Sequence, residues 1–266
     1  MAFARTMPGT VLWAWEEPED LRSADPRKVG VAYLAESVFL GNGTIAVRPR
    51  RQPLLVADGA AVMAVVRIEV GRGYRDTPAL RAQTAHELAA VAHASRIRAL
   101  QVDFDAAQSQ REFYRAVLKQ LNVEMPAGMP LSITALVSWC GSEHGWLSGL
   151  PIDEAVPMFF RLGDHTQPYA DKSWIAVREP LCRASAGLSI DESWPGRNAT
   201  EDERRVYLFA PRPWSAEQIA AAAELPGSGR VAALRVANRA MGVRPAGDHG
   251  AQNDRGQEFG TTEEQR

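Results

Sequence analysis

The chain has 266 residues, of which 45% are hydrophobic and 23% charged, a composition typical of an ordinary globular protein with one large domain or two small ones. Its formal net charge of -2 gives no electrostatic case for nucleic acid or an anionic membrane as a partner. No apolar run reaches the roughly 18 residues that a transmembrane helix needs, so we expect no membrane-spanning segment.

Short apolar runs bounded by turn residues predict eight β-strands. These runs cover residues 11–16, 29–34, 62–69, 99–105, 131–138, 155–161, 187–191 and 206–210. An Asn-Gly pair between two β-rich segments predicts a hairpin near residues 37–48. Residues 17–21, which follow the first strand, are expected to form one helical turn.

Helical periodicity separates several of the predicted strands. Apolar residues at helical spacing predict helices over residues 77–95, 113–123 and 216–224. Strands that alternate with helices favour parallel pairing and right-handed crossovers, and eight such units fit a (β/α)₈ TIM-type barrel of the α/β class. Because some connections are too short for full helices, we expect an irregular barrel with the hairpin as an insertion.

The predicted barrel forms a single domain over residues 9–242. Residues 243–266 are rich in Gly, Gln, Asp and Glu and contain one aromatic residue, so they are predicted to be a disordered C-terminal tail. The first residues lack the apolar core of a secretory signal, which predicts a cytoplasmic protein as the sequence stands. If a signal is missing from this chain, the protein would be periplasmic or secreted.

Two cysteines, Cys140 and Cys182, leave the compartment open. They could form one disulfide in an oxidising compartment or remain as two free thiols in the cytosol, and a disulfide would favour the periplasm. The sequence contains no Cys-x-x-Cys pair and its five histidines are scattered, which argues against a structural zinc site. We therefore predict no metal and no cofactor.

The most informative stretch is the apolar run over residues 99–105, which ends in Asp103 and Asp105. Side chains two residues apart in a strand point to the same face, roughly 7 Å apart, so these acids are expected side by side at the carboxyl end of the strand. That end is where α/β barrels place their chemistry. A helix cap would explain Asp105 but not Asp103, so we predict a functional site at this pair.

Further acids, arginines and tryptophans follow the ends of the other predicted strands. Stacking indoles and hydrogen-bonding carboxyl groups around one barrel mouth are typical of a sugar-binding cleft. We predict that the catalytic carboxyl groups are Asp103, Asp105, Glu69 and Glu192. Substrate binding is assigned to Trp13, Trp15, Glu16, Arg67, Trp139, Arg161, Asp191 and Trp194. Taken singly, each also has a structural explanation, such as barrel packing for Trp13 and Trp15.

Several motifs of the chain carry a resemblance. They include Leu-Trp-Ala-Trp-Glu at 12–16, Val-Arg-Ile-Glu at 66–69, Gln-Val-Asp-Phe-Asp-Ala at 101–106, Asp-Glu-Ser-Trp at 191–194 and Pro-Arg-Pro-Trp at 211–214. Together with residues 130–136 and 153–159 they resemble the bacterial family catalogued as domain of unknown function 3142, over roughly residues 11–214. The resemblance implies a glycosidase-like barrel but no assigned activity.

The Asp-x-Asp motif at residues 103–105 also resembles that of family-18 chitinases, whose motif continues to a Glu that donates the proton. Position 107 is Ala in this sequence, so that donor is absent from its expected place. Another acid, such as Glu192 or Asp105, would have to serve.

Three functions follow from these patterns. The first is a glycoside hydrolase that acts on a bacterial polysaccharide by carboxylate acid/base chemistry at the carboxyl-terminal mouth of the barrel. The second is a non-catalytic carbohydrate-binding barrel, which the Ala at position 107 supports. The third is metal-assisted hydrolysis, with Asp103, Asp105 and Glu69 holding Mg²⁺ or Ca²⁺. The sequence names neither the sugar nor the oligomeric state, and it leaves open whether the protein is an enzyme.

Overall fold

A barrel of eight parallel strands forms the centre of the protein. The computed structural model describes residues 6–94, 96–142, 145–160, 177–192 and 204–225. The barrel strands are β1 (Thr10–Ala14), β3 (Val29–Gly41), β6 (Val62–Val70), β7 (Ala99–Asp103), β8 (Leu131–Leu136), β9 (Glu154–Met158), β10 (Ser185–Ser189) and β11 (Arg205–Phe209). They follow one another in chain order, and the barrel is closed because β1 pairs with both β3 and β11. The predicted eight-stranded barrel is confirmed.

In the described part of the chain, three short strands lie outside the barrel wall. β4 (Thr44–Pro49) pairs antiparallel with the second half of β3, across a turn in which Asn42 and Gly43 have φ angles of 52° and 76°. This is the predicted hairpin, and the positive φ angles explain the Asn-Gly pair. β2 (Glu19–Leu21) pairs with β5 (Leu54–Val56). The helical turn expected at residues 17–21 is therefore wrong, because pairing with a distant strand outweighs the local preference.

Three α-helices of the described residues pack on the outside of the barrel. α1 (Pro78–Ala94) connects β6 to β7, α2 (Arg111–Glu124) connects β7 to β8, and α3 (Ala216–Ala223) follows β11. A short 3₁₀ turn, Val137–Gly141, follows β8 instead of a full helix. The barrel is thus irregular, as its short connections predicted. In the part of the chain that the structure describes, no helix is long and apolar enough to cross a membrane.

Apolar side chains pack on both faces of the barrel wall. One cluster fills the interior and includes Val11, Trp13, Met63, Val65 and Tyr207. A larger cluster lies between the strands and the helices α1 and α2, and another joins the outer face of β1, β10 and β11 to α3. Burial on both faces explains why these strands read as continuous apolar runs. The predicted tail at 243–266 lies outside the described residues, and the single domain over 9–242 stays a prediction.

A disulfide joins Cys140 to Cys182, whose Cα atoms are 5.9 Å apart. It connects the turn after β8 to the 3₁₀ turn Pro180–Cys182 that precedes β10. The backbone N–H groups of Arg178 and Glu179 donate hydrogen bonds of 2.8 and 3.1 Å to the carbonyl oxygen of Cys140. The bond and these two contacts hold the segment before β10 against the wall of the barrel.

Replacing both Cys140 and Cys182 by Ser should lower the free energy of unfolding by about 3–4 kcal/mol, because the disulfide closes a loop across a sequence separation of 42 residues. Urea denaturation followed by circular dichroism measures this difference. The wild type in reducing agent should unfold at the same midpoint as the double variant. Equal stability of the double variant and the oxidised wild type would contradict the presence of this disulfide.

An acid is buried outside the barrel interior. Glu36 lies on β3 just after a register shift, and its side chain points into the apolar layer that contains Val38 and Leu40. The residue is 8% exposed, and none of the described residues donates a hydrogen bond to its Oε1. Burial raises its pKa to about 7, and the nearby carboxylate of Glu87 on α1 adds to that rise.

The Glu36→Gln variant should be more stable than the wild type at pH 8, by up to about 3 kcal/mol. Because the folded pKa of about 7 lies above the ordinary value of 4.5, the wild type loses stability as the pH rises through that window. The difference between the two proteins should disappear near pH 4. Chemical denaturation at both pH values measures it, with Glu17→Gln, at an exposed position, as the control. If the difference in unfolding free energy between the two proteins does not depend on pH, the raised pKa of Glu36 is contradicted.

Candidate functional site

A cleft of about 360 Å³ opens at the carboxyl ends of β6 and β7, at the mouth of the barrel. Its lining includes four of the predicted site residues, together with apolar side chains and one amide. The lining residues are Arg67, Ile68, Glu69, Val70, Asp103, Phe104, Asp105, Ala107 and Gln110. The structure therefore brings Arg67, Glu69, Asp103 and Asp105 together in one cleft.

Strand alternation explains why these side chains meet. Met63 and Val65 of β6 point into the barrel interior, so Arg67 and Glu69 continue the same face to the mouth. On β7, Asp103 stands directly opposite Arg67 in the register of the parallel pair. The charged residues thus occupy the last interior-facing positions of two adjacent strands.

Asp103 is a buried acid with two different neighbours. It is 7% exposed, and its Oδ1 accepts a hydrogen bond of 2.7 Å from the Thr134 hydroxyl on β8. Its Oδ2 lies 3.9 Å from Nη1 of Arg67. Burial raises the pKa of Asp103 to about 6; the hydrogen bond from Thr134 opposes that rise, Asp105 adds to it and Arg67 opposes it. A large fraction of Asp103 is therefore protonated at mildly acidic pH.

Asp105 occupies a different environment. The strand β7 ends at Asp103, two residues earlier than predicted, so Asp105 lies in the loop behind it and is exposed. Protein atoms that displace water on the cleft side raise the pKa of Asp105, and Arg67 opposes that rise. The two acids line the same cleft, but one is buried and the other is open to solvent.

Arg67 connects the acids to an aromatic ring. Its Nε lies 3.4 Å from a carboxylate oxygen of Glu69, and its guanidinium carbon lies 5.7 Å from the ring centre of Trp15. This distance is within the range of a cation–π interaction. Trp15, which follows β1, is thereby brought to the edge of the cleft, with the guanidinium over one face of its indole.

Three other predicted residues lie elsewhere. Trp13 is buried inside the barrel, where its ring lies 5.3 Å from that of Tyr207. Glu16 is exposed and forms an ion pair of 2.7 Å with Arg48 on β4. Trp139 is buried in the layer outside the barrel, with its ring 4.7 Å from that of Trp146. None of these three side chains lines the cleft.

The remaining predicted residues follow other strands. Asp191 is exposed just after β10 and accepts a hydrogen bond from the Ser189 hydroxyl. Glu192 is partly exposed beside it. The strands β8 and β9 separate β10 from β7, and neither acid lines the cleft. Arg161 and Trp194 lie outside the residues that the structure describes.

Sequence reasoning missed two phenylalanines at the barrel mouth. Phe160 follows β9 and Phe209 ends β11, and their rings are stacked with centroids 5.5 Å apart. Trp15 packs edge-on against Phe209 at 6.4 Å. Each phenylalanine stands one residue before the end of a predicted strand, so the same strand-end criterion would have found both if it had included all aromatic residues.

A hydrogen-bonded network inside the barrel was also missed, and it centres on the fully buried Glu154. Glu154 accepts hydrogen bonds from Arg205 Nη1 at 2.8 Å, from the Tyr207 hydroxyl at 2.7 Å and from the Ser132 hydroxyl at 3.1 Å. Gln101 donates to Ser132 at 3.1 Å and accepts from Trp13 Nε1 at 2.9 Å. Burial raises the pKa of Glu154, while Arg205 opposes that rise. Five strands are linked in this way.

The geometry does not favour the metal-assisted alternative. Within the described ranges, no three His, Cys, Asp or Glu side chains are grouped so that they could hold a metal ion. The guanidinium of Arg67 instead provides the positive charge between Asp103 and Glu69.

A family comparison matches part of the range over which the sequence resemblance extends. The family described as Domain of unknown function (DUF3142) matches residues 58–156, which include Arg67, Glu69, Asp103 and Asp105. Among solved structures, the chain is similar to the spore cortex-lytic enzyme SleL of Bacillus cereus, with 16% identity and a TM-score of 0.47. The match covers 68% of this chain and 51% of that one, so it spans about half the length of SleL. A comparison with curated proteins found no match.

Glu154→Gln should lower the free energy of unfolding by about 3–5 kcal/mol, because it removes the buried carboxylate that pairs with the guanidinium of Arg205. Denaturation followed by circular dichroism measures the effect. Glu224→Gln is the matched control, since it removes an exposed ion pair with Lys28 and should cost less than about 1 kcal/mol. Similar losses in the two variants would show that the buried network contributes no more than a surface pair.

Proposed function

We propose that this protein is a glycosidase-like barrel that hydrolyses a carbohydrate, a bacterial polysaccharide or an oligosaccharide derived from one, in the cleft between β6 and β7. The observation that carries the proposal is the environment of Asp103. A buried carboxyl group with a pKa raised to about 6 stands in an open cleft beside two further carboxyl groups, Asp105 and Glu69. Most glycoside hydrolases use this combination of one protonated and one ionised acid.

Each group has a distinct role in this reaction. Asp103 is the general acid that protonates the glycosidic oxygen as the bond to the sugar breaks. Asp105, which is exposed at the cleft, is the carboxylate that either attacks the anomeric carbon or activates water. Arg67 holds Glu69 beside them and limits the rise in the pKa of Asp103. The half-buried edge of Trp15 offers an apolar surface to a sugar ring at the margin of the cleft.

The disulfide between Cys140 and Cys182 supports a periplasmic or secreted location for this activity. Disulfides persist in oxidising compartments and are rare in the cytosol. Bacterial polysaccharides outside the inner membrane would be within reach of the enzyme there.

A second candidate is a carbohydrate-binding barrel without catalysis, and one observation favours it. Ala107 lines the cleft at the position where the motif of family-18 chitinases has its proton-donating Glu. A methyl group cannot transfer a proton, so this alternative holds if Asp103 does not replace the missing donor.

The wild-type protein should release reducing ends from at least one bacterial polysaccharide, and Asp103→Asn should reduce that rate by at least about 100-fold. Because the acid must be protonated, the rate should fall as the pH rises through about 6, the pKa of Asp103. Asp58→Asn makes the same chemical change in an exposed turn before β6, at the opposite end of the barrel, and should leave the rate unchanged.

Binding and release separate the two candidates. A polysaccharide that both wild type and Asp103→Asn bind without cleavage would favour the binding barrel. Hydrolysis by Asp103→Asn at the wild-type rate would contradict the role of this acid. If the protein neither bound nor cleaved any polysaccharide, both proposals would be wrong.

A further inference from the structure

We propose that Thr134 is a positioning residue that fixes the Asp103 carboxyl group and directs its proton onto Oδ2, the oxygen on the side of Arg67. This inference deepens the proposed function of the cleft and rests on it for its catalytic meaning. Its structural content is independent of any substrate, because it concerns two side chains that touch in the protein alone.

The contact follows from the register of β7 and β8. Gln101 and Ser132 are partners in this parallel pair, as are Val102 and Ile133, so the next positions are Asp103 and Thr134. The Thr134 hydroxyl lies 2.7 Å from Oδ1 of Asp103. Both side chains are buried, so water does not compete for this hydrogen bond.

The hydrogen bond makes the two carboxyl oxygens of Asp103 unequal. The Thr134 hydroxyl has one proton to donate, and Oδ1 accepts it. Arg67 Nη1, at 3.9 Å from Oδ2, is too far away for a direct hydrogen bond. The hydrogen bond from Thr134 stabilises negative charge on Oδ1 and makes that oxygen the weaker base, so the proton goes to Oδ2 when Asp103 is protonated.

A carboxyl group held in this way cannot rotate freely about its last bond. Thr134 anchors one oxygen from β8, and the other stays on the side of the cleft residue Arg67 on β6. A proton donor must keep its orientation to reach the oxygen of the leaving group. The hydrogen bond from Thr134 therefore serves catalysis as well as stability. Thr134 acts through Asp103 and does not itself line the cleft.

The test is the titration of Asp103 in the intact chain. Carbon-13 labelling of the aspartate carboxyl groups allows NMR to follow each midpoint, and Asp103→Asn identifies the signal of Asp103. Thr134→Val keeps the shape of the side chain but removes the donor that stabilises the ionised form. The midpoint of Asp103 should therefore rise by about one pH unit. Thr134→Ser retains the hydroxyl and should leave the midpoint within about 0.3 of the wild-type value.

An unchanged midpoint in Thr134→Val would overturn the proposal, as would equal shifts in the Val and Ser variants. If Thr134→Val does not fold, Thr134→Ala removes the same hydroxyl without adding a methyl group to the packed site, and the same criteria apply. The titration needs no substrate, so its result separates the role of Thr134 from the proposed hydrolysis. Where hydrolysis is found, Thr134→Val should lower kcat more than it changes KM and move the alkaline limb upward, while Thr134→Ser should restore both.

Discussion

The buried charge of Glu154 constrains the whole interior of the barrel. A carboxylate without contact to water is tolerated only if protein groups replace its hydration. Arg205 and Tyr207 of β11 and Ser132 of β8 supply these groups from the two sides of β9. A slip of one residue in any of these strands would turn a partner away from the interior and leave the charge uncompensated. The network therefore specifies the register of the barrel more strictly than its apolar residues do.

This register reaches the cleft through residues two positions apart. Gln101 and Ser132, which are hydrogen-bonded in the network, face the same interior as Asp103 and Thr134 further along β7 and β8. Once Gln101 and Ser132 are aligned, strand alternation brings Asp103 and Thr134 into contact. The orientation of the candidate acid thus depends on a polar network that does not itself touch the cleft.

Much of the fold could be predicted from the sequence, because strands that are buried on both faces read as continuous apolar runs. The ends of the predicted strands also bring Arg67, Glu69 and Asp103 to the mouth of the barrel. The partners of Asp103 were not predictable, since the Thr134 contact joins residues 31 positions apart and requires the register between two strands. The prediction for Trp139 differs from its observed place in the outer core because an indole that packs in a core has the same sequence signal as one that binds a ligand. Residues 17–21 show the same limit, because their partner strand lies elsewhere in the chain.

The balance between burial and charge determines what Asp103 can do. A guanidinium in direct contact would hold the carboxyl group ionised and unable to donate a proton. Arg67 instead lies 3.9 Å from Oδ2, is itself partly exposed and shares its charge with Glu69 at 3.4 Å. Its influence is therefore weaker than that of burial, and the pKa of Asp103 rises to about 6. Glu69 draws the guanidinium of Arg67 toward itself and Trp15. The buried carboxyl group of Asp103 therefore keeps its proton although an arginine is close to it.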